Sequence, residues 1–164
     1  MLPCLLLRGT GATVGGNWLY VEATVAAIHG LLTPAVRAFL DERRFAVVAS
    51  IRADGLPHQT VMWYALRGDT LMLNEGQARG RSRHLHRDPR LSLCVEDGAR
   101  YVTITGPCEL QSDDQEAALA DIVALAVRYD GEERGQAMRA FFAQEGRETI
   151  LLRIATVDAR GFEG

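Results

Sequence analysis

The strongest constraint on the fold is a series of short β-forming segments joined by tight turns. Phe45 to Ile51 (FAVVASI) is apolar and β-branched, Asp54-Gly55 is a turn dipeptide, and His58 to Leu66 (HQTVMWYAL) returns as a second strand. Together they read as a hairpin. Gly68-Asp69 turns the chain again before a third strand, Leu71-Met72-Leu73. Leu91 to Val95 predicts a fourth strand and Tyr101 to Leu110 a longer one, with Gly106-Pro107 as a bulge or kink. Thr149 to Ile154 is expected to close the sheet. Turns this dense argue for an antiparallel barrel rather than a βαβ sheet.

Helices fit between and around these strands. Thr33 suits an N-cap and Pro34 the first helical position, so a short helix starts there. Arg79 to His86 reads as a second short helix, because Pro89 prevents continuation beyond Asp88. Asp113 to Tyr129 carries apolar residues at helical spacing (Ala117, Ala120, Ile122, Ala124, Leu125 and Val127), with Ser112 or Asp113 as its cap. Gly131 separates it from another helix near Glu132 to Gln144. The 164 residues fit one domain, expected over 31–164. Residues 1–30 read as an N-terminal extension of marginal order. Met1 to Leu7 is too short to span a bilayer and lacks a basic leader, and a glycine-rich stretch follows from Gly9 to Gly16.

Charge narrows the chemistry. A net charge of -3 gives no global attraction for nucleic acid or anionic membranes, so neither is expected as a partner. All 18 basic residues are arginines. Without a lysine amine there is no Schiff-base chemistry, and the guanidinium favours multidentate grips on phosphate or carboxylate. Cys4, Cys94 and Cys108 are far apart and form no C-x-x-C pair, which fits a reducing cytoplasm; Cys94 and Cys108 read as small core residues.

The most informative segment is Ala78 to Arg90 (ARGRSRHLHRDPR). Arg79 and Arg81 sit at a helix start, where backbone N–H groups and the positive end of the dipole already favour an anion. Cations there oppose the dipole, and a bound phosphate would remove the conflict. Charge pattern alone leaves a solvated helix with pairs such as Arg87 and Asp88 as an equal alternative. His84 and His86 stand about 200° apart on a helix and cannot face one ion, so no metal site is expected. His58 sits at a strand start and reads as a surface or turn residue, with a weak claim as a proton donor. Ser50, Ser82 and Ser92 have no base beside them, and no G-x-S-x-G or G-x-G-x-x-G occurs. The acidic pairs Asp113-Asp114 and Glu132-Glu133 fall at helix starts, where acidic residues belong in any case. Gln59 to Tyr64 (QTVMWY) reads as a strand buried partly on both faces, with Trp63 and Tyr64 in the core, or as a wall that meets a planar ring.

From Leu32 to Gly161 the chain resembles the split β-barrel flavin and deazaflavin oxidoreductases, relatives of pyridoxamine 5'-phosphate oxidase. The resemblance rests on three pieces in order: Ala49-Ser50-Ile51-Arg52-Ala53-Asp54-Gly55-Leu56-Pro57, Arg81 to Leu93 (RSRHLHRDPRLSL), and Tyr101-Val102-Thr103-Ile104-Thr105-Gly106. It implies a mainly β fold with α, an antiparallel FMN-binding split barrel with peripheral helices, and a homodimer that holds its cofactor at the interface. Arg79, Gly80 and Arg81 would hold phosphate, with Arg81 where a lysine is usual. His84 stands where an asparagine is usual. Gln59, Thr60, Val61 and Met62 would border the ring, with Asn74 and Tyr101 close by. FMN oxidases of this kind carry an arginine and a lysine on the second strand, at positions that look like the neutral Gln59 and Tyr64 here. This tilts the reading toward the deazaflavin coenzyme F-420, with FMN as the alternative; haem and biliverdin binders also occur among relatives. The implied activity is hydride transfer from the reduced cofactor to a small organic substrate, with an FMN-dependent pyridoxamine phosphate oxidase-like oxidoreductase or a non-catalytic flavin- or haem-binding protein as the alternatives. No residue is assigned as catalytic, and the accompanying proton would come from solvent, Tyr64 or Tyr101.

Overall fold

The computed structural model describes residues 32–162. The expected extension over 1–30 lies outside the described residues. Helix α1 (Pro34–Asp41) opens the domain; Thr33 caps it through its hydroxyl, which accepts from the Val36 N–H at 3.2 Å, and Pro34 takes the first turn as anticipated.

Eight antiparallel strands follow: β1 (Ala46–Ile51), β2 (Pro57–Met62), β3 (Ala65–Arg67), β4 (Thr70–Gly76), β5 (Arg90–Glu96), β6 (Tyr101–Gln111), β7 (Arg147–Arg153) and β8 (Thr156–Arg160). Helix α2 (Gly80–Arg87) is inserted between β4 and β5. Helices α3 (Gln115–Asp130), α4 (Glu132–Ala137) and α5 (Arg139–Phe142) lie between β6 and β7. The sheet runs β2-β1-β5-β6-β7-β4-β3, with β8 paired to β6. This curled antiparallel sheet with peripheral helices is the expected mainly β split-barrel architecture.

Five details differ from the sequence reading. The second strand is two: β2 ends at Met62, and the chain leaves the sheet at Trp63 and Tyr64 before β3. The Tyr129 hydroxyl accepts from the Tyr64 N–H at 3.2 Å and donates to the Arg44 carbonyl at 2.5 Å, so the break leaves that buried amide satisfied. The last strand is β8, short and mostly exposed, not the segment ending at Ile154. The cap of α3 is Asp114, whose side chain accepts from the Ala117 N–H at 2.9 Å. The buried stripe of α3 is Ala118, Ile122, Val123, Leu125, Ala126 and Tyr129, while Ala117, Ala120 and Ala124 face out. Alanine is small enough to sit on either face, so its spacing misleads. The helix expected over 132–144 is the two short pieces α4 and α5.

The barrel interior is packed by Phe39, Leu40, Val48, Leu73, Leu85, Leu93, Ile104 and Ile150. A second cluster forms where Met72 and the α3 stripe meet on the other face of β4 and β7. Gly106 marks the corner where β6 exchanges β8 for β7 as its neighbour: a Cβ there would stand 1.9 Å from the Arg153 carbonyl oxygen. Only glycine admits that approach. Cys94 and Cys108 are half-buried rather than fully inside, with Cys108 packed against the first cluster. Among the described residues, no helix is long and apolar enough to cross a membrane.

Candidate functional site

The sheet order brings the ends of β2 and β4, the start of α2 and the α5–β7 corner around one open groove of about 400 Å³. Thr60, Val61, Met62, Asn74, Arg79 and Arg81, six of the ten residues singled out above, line it. Gln59 points to the exposed outer face of β2, away from its neighbours Thr60 and Met62. Gly80 begins α2 without lining the groove. Tyr101 starts β6, three strands across the sheet from β2.

Arg81 is the focus. Rooted in the first turn of α2, its side chain is 1% exposed, among the most buried in the domain. It donates to the Thr60 hydroxyl and to the Met62 sulfur on β2. Among the described residues no carboxylate lies at ion-pair distance, and its Nε has no partner. Burial pulls its pKa down, and Glu75 opposes that shift. A buried guanidinium with an unfilled donor carries an unmet hydrogen-bonding demand. Arg79 caps α2 without a side-chain hydrogen bond and lies 3.6 Å from Glu145 Oε1. The helix start is thus left to an incoming acceptor.

Sequence reasoning missed the groove's other polar residues. Arg147 donates to Asn74 Oδ1 at 2.8 and 3.0 Å and to Glu145 Oε1 at 3.0 Å. Asn74 in turn donates to the Ala118 carbonyl at 2.8 Å, so it braces α3 against the sheet. Glu75 lines the groove, and burial raises its pKa against the pull of Arg81, Arg79 and Arg147. Three arginines therefore face two glutamates, Glu75 and Glu145. Trp63, Phe141 and Phe142 supply an apolar wall, with Trp63 stacked on Tyr129 at 5.3 Å. The strands expected over 71–73 and 149–154 stop short of Glu75 and begin after Arg147, whereas β4 and β7 include both residues.

The histidines separate as helix geometry requires. His84 Nδ1 is 3.1 Å from Ser50 Oγ, and its ring meets His58 edge-on at 5.3 Å. Burial, then His58, Arg87 and Arg52, lower its pKa. His86 Nε2 contacts Glu148 Oε1 at 2.9 Å. His58 stands near the start of β2, as expected, and is half-buried. The anticipated Arg87–Asp88 pair is replaced: Asp88 pairs with Arg90 at 2.6 Å, and Arg87 donates to the Ile51 carbonyl. Tyr64 is withdrawn from the groove. It is fully buried, its hydroxyl donates to the Leu40 carbonyl at 2.9 Å, and burial drives its pKa up, so it is no proton source there.

Comparison with known proteins bears on this geometry. No curated protein matches the chain. A conserved hypothetical protein of Mycobacterium tuberculosis is 26% identical over 78% of this chain and 83% of that one, with a TM-score of 0.67. An F-420 reductase is 25% identical over 74% of this chain and 94% of that one, with a TM-score of 0.62. A putative pyridoxamine 5'-phosphate oxidase from Listeria innocua shares the fold at 16% identity and a TM-score of 0.55, over 75% of this chain and 93% of that one. Residues 32–160 match the signature of the pyridoxamine 5'-phosphate oxidase family, and the chain belongs to that family.

Proposed function

We propose, with family membership as the premise, that the groove holds coenzyme F-420 and that the protein is a deazaflavin-dependent oxidoreductase. The observation that carries this reading is Arg81, buried beside the groove with an unfilled Nε donor and no carboxylate at ion-pair distance. The donor set fits a phosphate: Arg81 and Arg79 would hold it at the start of α2, where charge-assisted bonds and the helix dipole act together. Thr60, Val61 and Met62 would border the ring, and Trp63, Phe141 and Phe142 would exclude water. The likeness to an F-420 reductase favours deazaflavin over FMN. The bound cofactor supplies a hydride to an electrophilic organic substrate.

The same reading includes a homodimer. Val61 is 63% exposed and its cross-strand partner Val47 is 40% exposed, on the outer face of the edge strand that bounds the groove. On that side of the sheet a depression of about 320 Å³ is lined by Ala49, Ile51, Leu91 and Gly106. A second copy covering this face would remove exposed apolar surface and close the groove.

Titration of the purified chain with coenzyme F-420 and with FMN tests the assignment. Tighter binding of F-420, followed by oxidation of its reduced form on adding an electrophilic acceptor, supports it. A tightly held FMN with no affinity for F-420 would sink the deazaflavin reading.

A further inference from the structure

Glu75 on β4 and Glu148 on β7 are direct cross-strand partners. Side chains so placed share one face, with Cβ atoms about 4.5–5.5 Å apart, and two like charges there destabilise a sheet. Each residue has one buried oxygen without a hydrogen-bond partner, Glu75 Oε2 and Glu148 Oε2. Glu148 is fully buried, and its other oxygen contacts His86 Nε2 at 2.9 Å. The His86 side chain is 58% exposed. Glu75 lines the groove. The three residues thus run in sequence from groove to solvent through the barrel wall.

One proton on Glu75 reconciles these facts. As a neutral acid, Glu75 can donate to the unpartnered oxygen of Glu148, which removes the like-charge repulsion and fills both vacancies. The surrounding charges are mixed. Arg81 and Arg79 on α2 and Arg147 on β7 favour ionised Glu75, whereas burial, with Glu148 adding to it, favours the neutral form and prevails. Beyond Glu148 lies Cys108 on β6, whose thiol burial, with Glu148 and Asp88, pushes up to about 12. It stays a neutral thiol and does not compete for the proton.

We propose that Glu75 is the proton donor of the groove, and that Glu148 and His86 reconnect it to solvent. This rests on the hydride-transfer reading above. When hydride adds to an electrophilic double bond of the substrate, a C–H bond forms and the π bond breaks. The electron pair left on the far atom takes the proton from the Glu75 carboxyl. A proton from water then reaches the Glu148 carboxylate through His86, and Glu148 passes it to Glu75 and becomes a carboxylate again. The substrate gains one hydride and one proton, and the chain returns to its starting state.

Infrared spectroscopy of the cofactor-free full chain near neutral pH tests the donor without any bound cofactor. Wild type and His86→Asn should show a protonated carboxyl stretch, and Glu75→Gln should lack it. In Glu148→Gln the same band should titrate away at lower pH, because the repulsion is gone. No band in wild type, or an unchanged band in Glu75→Gln, overturns the proposal. Single-turnover oxidation of the reduced coenzyme F-420 complex by cyclohexenone tests the path. Glu75→Gln, measured with the chain saturated in cofactor, should slow it about 100-fold or more. In repeated turnover with excess reduced coenzyme F-420, where Glu75 must be reprotonated, His86→Asn should slow the rate, with recovery on added imidazole. A single-turnover rate indifferent to Glu75→Gln overturns the donor, and a repeated-turnover rate indifferent to His86→Asn overturns the relay. A chain that shows the band yet binds no F-420 would instead refute the hydride-transfer reading, and the donor role with it.

Discussion

Arg81, in the first turn of α2, donates to the hydroxyl of Thr60 on the edge strand β2, 21 residues earlier in the chain. This contact fixes a buried cation at the groove without the help of a carboxylate, so the charge is positioned before any ligand arrives. Preorganisation of that kind lowers the cost of binding an anion. Thr60→Val keeps the shape and removes the acceptor. It should lower stability by about 0.5–1.5 kcal/mol in urea unfolding and weaken flavin or deazaflavin binding severalfold.

Asn74 is the joint between Arg147 and α3. Asn74→Ala strips the carbonyl oxygen that receives two bonds from Arg147 and the amide that holds the Ala118 carbonyl. Leaving a buried guanidinium short of partners should cost about 1–3 kcal/mol, read as a lower urea midpoint at unchanged m-value.

Tyr64→Phe separates a core role from a chemical one. The hydroxyl donates to Leu40 inside the core, so its loss should lower stability by about 0.5–1.5 kcal/mol and leave cofactor binding alone. Calorimetric unfolding together with a binding titration checks both halves.

Glu75 ties stability to pH. Its folded pKa is raised, chiefly by burial, so its contribution is fully present below the unfolded value of about 4.3 and is lost as pH rises through the folded value. Glu75→Gln, always neutral, should match wild type in mild acid and exceed it increasingly above that range. Urea midpoints measured across pH 4 to pH 9 (roughly the span of a raised carboxyl) decide this. Parallel curves would contradict it.

What the sequence revealed follows the range of the interactions. Thr33-Pro34, the Asp54-Gly55 hairpin and the Arg79–Arg81 helix start are local chemistry, and each appears in the structure where its residues imply. The break at Trp63 and Tyr64 is not local: it is supported by the hydroxyl of Tyr129, 65 residues on. Strand β8 carries little apolar pattern and exists because β6 offers it an edge. In the groove, the arginines of α2 announced themselves by charge. Glu75 and Arg147 did not, because only the β4–β7 register brings them there.

The apolar outer face near β2 makes a separate claim. Val61→Asp puts a charge on that surface at a residue already 63% exposed, so the fold should survive. The expected result in analytical ultracentrifugation is a dimer for wild type and a monomer for the variant. A monomeric wild type would contradict the proposed pairing.

The central claim is that Arg81 exists to meet a cofactor phosphate, and one titration tests it most directly. Fluorescence-monitored binding of coenzyme F-420 should give a Kd roughly ten- to a hundredfold weaker for Arg81→Ala than for wild type, from the loss of a charge-assisted bond worth about 1.5–3 kcal/mol. An Arg81→Ala chain that folds and binds with the wild-type Kd would contradict the account.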